Sequence, residues 1–375
     1  YLPGMRSSEE SMSRPDQRES PDLEIDDAIE RFVVRNRPNW KGETERTYRK
    51  SLDTFEAYAA EAEIETLSDM DLWSVGDFTD FLLGRDYARI TVQSKQKQAR
   101  RWIKWLEGQG LVNVGTHLAI EPLKLEDAEQ TSSDTLEPEE IRDYIVYYRG
   151  APQWRGTRRH ALLEVEGHVA PRRGGIRALD VRDWDSESRT LTFRNRPETG
   201  TRLKKGDQHE RKVVLAPGPA QALDEYIARH RIRKHDEHGR SPLFASRQGR
   251  PTKSTITNWF YAATLPCVKQ RCPHSREPHK CEWAAKQTMA SQCPSSSSPH
   301  PIRRGSITWQ LNLGRDLEDV AERAATTPDV LRRYYDRPDL DAALRRRITD
   351  FAGIDITEHS DPTDIDDKIN DEEDQ

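Results

Sequence analysis

The 375-residue chain has no long hydrophobic run. A bilayer-crossing helix needs about 20 consecutive apolar residues. Nothing here approaches that, and the mean hydropathy is −0.94. No secretory leader pattern is present at the start. Cysteine is scarce, at four residues, which excludes a disulfide-stapled secreted scaffold and points to reduced thiols in a cytoplasm. Internal repeats are also missing, which removes solenoid and propeller architectures. Lysine is sparse beside arginine, and acids are abundant throughout. That mix points to a high-salt cytoplasm, where a hydrated acidic surface keeps proteins soluble; an activity optimum below ordinary salt would count against it.

An overall charge of −6 argues at first against a polyanion ligand, but its distribution reverses the argument. Residues 1–27 carry −5 and residues 349–375 carry −10, leaving +9 on residues 28–348. A basic body between acidic, hydrophobe-poor ends is the footprint of a polyanion binder with disordered tails. Salt weakens phosphate contacts steeply, so such a protein needs many of them.

Residues 1–22 have no periodicity and read as a disordered tail. Helical spacing of three and four begins near Leu23 with Ile25, Ala28, Ile29, Phe32 and Val33. Further helices are expected over about 44–61, 75–83 and 89–108. The last has an apolar face of Val92, Ala99, Trp102, Ile103 and Leu106, and a basic edge of Lys95, Lys97, Arg100, Arg101 and Lys104. This gives a four-helix domain over 23–112. Residues 113–134 lose periodicity and read as a linker. A second domain, 135–350, opens on a helix start at Thr135–Ile141 with Pro and acids in its first turn. It continues with helices at about 157–169, 172–179, 217–231, 255–263, 301–313, 317–325, 328–335 and 338–348. Arg189–Arg194 and Lys212–Leu215 read as a strand pair. The fold class is therefore mainly α with a small β-sheet (α+β). Residues 351–375 read as an acidic disordered tail.

Chemistry concentrates in four places. Pro171-Arg172-Arg173-Gly174 puts arginine at a tight helix entry. Leu203-Lys204-Lys205-Gly206 stands at the hairpin tip. Ser298-Pro299-His300-Pro301-Ile302-Arg303 sets His300 and Arg303 three residues apart at a helix start. That spacing places both on one helix face, and the helix N-terminus adds partial positive charge, a combination suited to a phosphate oxyanion. Tyr334-Tyr335-Asp336 follows some thirty residues later. The two tyrosines are about 100° apart on a helix, so only one can face such a phosphate.

Taken together, these motifs resemble the tyrosine recombinase (phage integrase) family, and within it the integrases of halophilic archaea, which share phrases such as SPHPIRxGSITWxLN and a Tyr-Asp ending. The resemblance covers roughly residues 24–350. It implies a SAM-like core-binding domain and a catalytic domain forming a C-shaped clamp on double-stranded DNA. It implies site-specific strand exchange through a 3′-phosphotyrosine, carried out by a homotetramer on two duplexes, without a membrane and without a catalytic cofactor. It assigns Arg172 and Arg303 to a phosphate clamp, Lys204 to protonation of the 5′ leaving oxygen, His300 to the proton of the nucleophile, and Tyr335 to attack. Arg173, Lys205 and Tyr334 are the competing choices at their positions. One departure stands out. The family carries a second His or Trp about nine residues before the nucleophile, and Arg323-Ala324-Ala325-Thr326-Thr327-Pro328 contains neither. A catalytically weakened DNA-binding member and a monomeric type IB topoisomerase are the rival readings.

All four cysteines, Cys267, Cys272, Cys281 and Cys293, lie in an insertion at 265–298. Thiols confined to a short polar segment without a core of its own suggest structural zinc, with His274 as a substitute ligand. The spacing is not that of the common zinc finger. Such a metal would brace the start of the His300 helix and take no part in chemistry.

Overall fold

The computed structural model describes residues 22–335, apart from Lys41, residues 127–128 and residues 130–133. Both expected tails and the expected helix at 338–348 lie outside the described residues. The chain divides into two compact units, 1–133 and 134–375. Among the described residues no helix is long and apolar enough to cross a membrane.

The first unit contains α1 (Ile25–Asn36), α2 (Gly42–Glu61), α3 (Leu72–Leu83) and α4 (Arg89–Gly108). Each stripe read from the spacing is buried, and the aromatics meet at the centre. The Phe55 ring lies 4.9 Å from Phe78 and 5.0 Å from Trp102. At the start of α3, Asp71 accepts from the Ser74 N–H at 2.7 Å while its own N–H donates to Ser74 Oγ at 3.0 Å, so two otherwise orphaned donors are satisfied.

Two expectations are corrected here. Residues 113–123, read as linker, are folded onto this unit. Ile120 is buried in its core and Leu123 packs against it. The Gln96 amide binds Leu123 N–H at 2.9 Å, and Arg100 donates to the carbonyls of His117 and Ile120 at 3.1 and 2.6 Å. These long-range bonds leave no periodic trace in the sequence. The basic edge of α4 is also narrower than expected. Arg100 is used internally, and Lys95 is buried with its ammonium on Thr54 Oγ1 at 2.6 Å. Burial holds the Lys95 ammonium below the usual lysine range. Lys97, Arg101 and Lys104 stay exposed, four and three residues apart, as one continuous stripe.

The second unit contains α5 (Pro138–Gly150), α6 (Arg158–Val169), α7 (Arg173–Ala178), α8 (Pro217–Glu225), α9 (Lys253–Ala263), α10 (Glu282–Ala285), α11 (Pro299–Asn312), α12 (Leu317–Ala324) and α13 (Pro328–Tyr334). Its sheet has order β1-β2-β3 and is antiparallel: β1 is Trp184–Asp185, β2 Thr190–Phe193 and β3 Arg211–Val214. The register pairs Thr190 with Val214 and Phe193 with Arg211. The two-residue β1 was not anticipated. The helix expected to run to 231 stops at Glu225 and continues as one π-helical turn over 226–230.

Helix α6 is the centre of this unit. His160 through Gly167 and Val169 are all buried, and α5, α8, α9 and α11 pack around it. Its acid Glu164 is therefore held by charge: Arg149 donates to both oxygens at 2.6 and 2.9 Å, and His160 Nε2 lies at 3.0 Å. A second knot fixes the exit of α7. Buried Asp180 accepts from Arg240 at 2.8 Å and Arg250 at 2.5 Å, and Arg250 also donates to Asp236 and to the Arg177 carbonyl. Breaking a buried pair by removing one member typically costs 3–5 kcal/mol, so these ties hold α7 rigidly where it enters the cleft described next.

Candidate active site

A cleft of about 650 Å³ in the second unit is lined by Glu166, Pro171, Arg172, Arg173, Lys204, Thr257, Tyr261, Ser298, Pro299, His300, Arg303, Thr326, Val330 and Tyr335. It thus brings together the five side chains Arg172, Lys204, His300, Arg303 and Tyr335. Lys205, the alternative to Lys204, is not among the lining residues. Arg173, the alternative to Arg172, is at the rim, exposed, with its guanidinium on Thr257 Oγ1 at 2.8 Å.

Two left-handed residues build the arginine pair. Helix α6 ends at Ala170 (φ 51°) and α12 ends at Ala325 (φ 52°). Non-glycine residues adopt this conformation at a cost of about 1–2 kcal/mol, and such strain clusters at functional sites. The turn at Ala170 sends the chain into Pro171 and places Arg172 at the N-cap of α7. The strained carbonyls then receive the arginines. Arg172 Nη1 donates to the Ala325 carbonyl, and buried Arg303 Nη1 donates to the carbonyls of Ala170 and, at 2.7 Å, Ala324. Two guanidinium groups from different helices are fixed side by side. Arg172 is pushed down to about 10, by burial first and by the charge of Arg303 second, with Tyr335 opposing. A site whose cations destabilise each other is one prepared for an anion.

Helix α11 starts two residues earlier than its expected start, with Ser298 as N-cap and Pro299 in the first turn. Arg303 is buried, and His300 stays accessible to solvent. The surrounding wall and then Arg303, Arg304 and Arg172 push the His300 pKa down, leaving a neutral imidazole able to accept a proton at neutral pH. Tyr335, at the end of α13, is half-buried against the cluster containing Ala170, Ile307 and Leu331. Thr326 occupies the cleft nine residues before Tyr335, in the segment without a second His or Trp.

Three nearby groups were not anticipated. Glu166 lines the cleft fully buried. Arg211 stacks on the Phe193 ring at 3.9 Å and donates to the Arg323 carbonyl at 2.8 Å. Burial, Arg303 and Arg172 push it down to about 9. His209, buried behind Lys204 and Lys205, is pushed down to about 4 by burial and then by Arg172. Strand alternation held the signal for Arg211, because it shares the inward face with Val213.

The four cysteines are free thiols, Cys281 and Cys293 being buried. Among the described residues no group of three or more His, Cys, Asp or Glu side chains is placed to hold a metal ion. The thiols nevertheless share one neighbourhood. Burial raises Cys267, and Cys272, Cys293 and Cys281 raise it further. His274 Nε2 lies 3.1 Å from Ser295 Oγ. The donor chemistry suits zinc, but the disposition of the sulfurs is not that of a formed site.

No protein-family model matches the chain. A curated relative, tyrosine recombinase XerC of Herpetosiphon aurantiacus, is 23% identical over 283 residues, 75% of this chain and 80% of the relative. Among solved structures, the Tn1549 transposon integrase in complex with a circular-intermediate DNA matches with a TM-score of 0.63 at 13% identity, covering 86% of this chain and 98% of that one. The lambda integrase tetramer bound to a Holliday junction matches with a TM-score of 0.55 at 12% identity, covering 87% and 78%. The fold is that of the recombinases that act through a tyrosine. In sequence the chain is similar to a tyrosine recombinase, and in fold to the solved integrases.

Proposed function

We propose that the protein is a tyrosine recombinase that performs site-specific DNA recombination, with Tyr335 as its nucleophile. The Tyr335 hydroxyl attacks the scissile phosphorus and forms a phosphotyrosine bond to the 3′ end, while the bond from phosphorus to the 5′ oxygen breaks. The tyrosine proton passes to His300, and Lys204 gives a proton to the departing 5′ oxygen. Arg172 and Arg303 neutralise the non-bridging oxygens, on which charge grows in the transition state. Attack by a 5′-hydroxyl on the phosphotyrosine reverses every step and rejoins a strand. The linkage conserves the energy of the phosphodiester, so the chemistry calls for no nucleotide hydrolysis.

What supports this reading is that the five side chains, drawn from four separate elements, line a single cleft. The test is incubation with nicked duplex DNA followed by protease mapping. A nucleotide adduct on the peptide bearing Tyr335 is expected; an unmodified chain favours the DNA-binding, non-cleaving alternative. Thr326 favours a slow enzyme over an inactive one, since it keeps a hydroxyl in the cleft. Loss of one transition-state donor typically costs about 3 kcal/mol, or about 100-fold in rate.

The assembly is a homotetramer on two duplexes in the cytoplasm, a reading supported by the tetrameric lambda integrase neighbour. The exposed stripe of Lys97, Arg101 and Lys104 supplies phosphate contacts in the first unit. The insertion at 265–298 binds structural zinc through Cys267, Cys272, Cys281 and Cys293, supported by the mutual proximity of the four thiols. Elemental analysis is expected to find one zinc per chain, and a chelator is expected to lower the melting temperature. Metal-free protein with an unchanged melting curve overturns the zinc reading.

A further inference from the structure

Glu166 is the one carboxylate among the described residues that line the cleft. It is fully buried, and neither carboxyl oxygen has a hydrogen-bond partner. Buried polar atoms are almost always paired, so an unpaired carboxyl facing an arginine pair calls for an explanation. Its surroundings are basic: the cations Arg303 of α11, Arg172 and Arg173 at the entry of α7 and Lys204 from the β2–β3 connection, beside the neutral His300 imidazole, with Tyr335 and Tyr261 as the phenols. The charged groups on the other faces of α6 are engaged elsewhere. Arg149 of α5 binds Glu164, while Asp224 and Glu225 of α8 bind Trp184 and Arg155.

We propose that Glu166 is a positioning residue for the arginine clamp: carrying its proton, it leaves the Arg303 guanidinium to a phosphate oxygen, and without it the carboxylate takes that guanidinium for itself. The inference rests on the reading of the cleft as a phosphate site. The physical basis is competition. A carboxylate and a phosphodiester oxygen are both anions suited to the same guanidinium fork, and the Arg303 charge is the one that acts on Glu166. Burial favours the neutral acid, raising its pKa well above the usual carboxylate range, while Arg303 opposes. An arriving anion would strengthen the preference for the neutral form. The sign follows: oxyanion affinity is full below the carboxyl's titration and is lost as pH rises through it.

Sulfate is the probe, because it is tetrahedral and does not titrate near neutrality. Its binding is measured by calorimetry across pH at constant ionic strength, for the wild type, Glu166→Gln and Arg303→Ala. Wild type and Glu166→Gln should bind alike at the acid end. Above the midpoint the wild-type affinity should fall about tenfold per pH unit, the limit for one linked proton, while the Gln variant lacks that fall. Infrared spectra of the wild type give a second readout that needs no variant. The stretch of an un-ionised buried carboxyl should be present, and sulfate should move its loss to higher pH. If wild type and Glu166→Gln share one pH profile, or if sulfate leaves the carboxyl band unmoved, Glu166 is only structural and the inference falls with the phosphate site intact. If the wild type binds sulfate no better than Arg303→Ala, the phosphate-site reading falls as well.

Discussion

Tyr335→Phe should abolish covalent attachment to DNA altogether. Removing a catalytic nucleophile can lower turnover on the order of 10⁶-fold, and here no other cleft group would replace it. Tyr261 also lines the cleft but projects from α9, outside the Tyr334-Tyr335-Asp336 motif. The variant should otherwise behave as wild type. The Tyr335 ring is half-buried against Ala170, Ile307 and Leu331, and phenylalanine keeps that packing, so the melting temperature should barely move. Equilibrium DNA binding should be unchanged within a factor of about two, because the hydroxyl is one of many polar contacts on a basic surface. Tyr334→Phe is the companion experiment, and it should keep the adduct. The measurement is denaturing electrophoresis of protein mixed with end-labelled nicked DNA. An adduct that survives Tyr335→Phe and disappears in Tyr334→Phe would move the nucleophile by one residue and with it the geometry assigned to the clamp.

The parts of this protein that could be read from its residues are those set by local patterns. The stripes of α1 and α4 are amphipathic and therefore visible. The cleft residues Arg172, His300, Arg303 and Tyr335 stand in short motifs next to helix boundaries, where proline, serine and glycine mark the chain. What escaped is held by distant partners. Residues 113–123 look like linker because, beyond one short turn at Thr116–Ala119, their backbone groups are satisfied by Gln93, Gln96 and Arg100 of α4. Lys95 and Arg100 look like surface cations because nothing near them in sequence announces Thr54 or the Ile120 carbonyl. Glu166 was hidden for another reason. Helix α6 is buried on almost every side, so it has no polar face against which an inward acid would stand out. The four cysteines show the opposite limit: their clustering in sequence is plain, but a ligand geometry cannot be read from clustering.

Gly305→Ala should unfold or severely loosen the second unit, although it adds a single methyl group in a helix where alanine is intrinsically favoured. Helix propensity alone predicts a gain of about 1 kcal/mol. Packing opposes it decisively. A Cβ at position 305 would lie 2.0 Å from the Leu136 carbonyl oxygen and 2.8 Å from Ile141 Cδ1. The first neighbour is backbone, tied in turn to α11 by the Leu136 N–H on the Pro301 carbonyl at 3.3 Å, so it cannot swing aside as a long side chain would. Overpacking costs about 1–3 kcal/mol where side chains can adjust, and a fixed carbonyl puts this substitution at or beyond the upper end. For a unit of this size about 3 kcal/mol corresponds to a fall in melting temperature of about 6–12 °C. Any variant that survives must shift α11 away from the strand of chain at Leu136, and α11 carries both His300 and Arg303. Strand cleavage should therefore drop further than the remaining folded fraction accounts for, since displacements of about 1 Å can cost about 100-fold in rate. Gly150→Ala is the control in the same unit. It ends α5 with nothing within 4 Å of the added carbon, and it should leave both melting temperature and cleavage unchanged or slightly raised. Equal behaviour of the two variants in thermal denaturation would show that α11 and Leu136 are not in the close contact described.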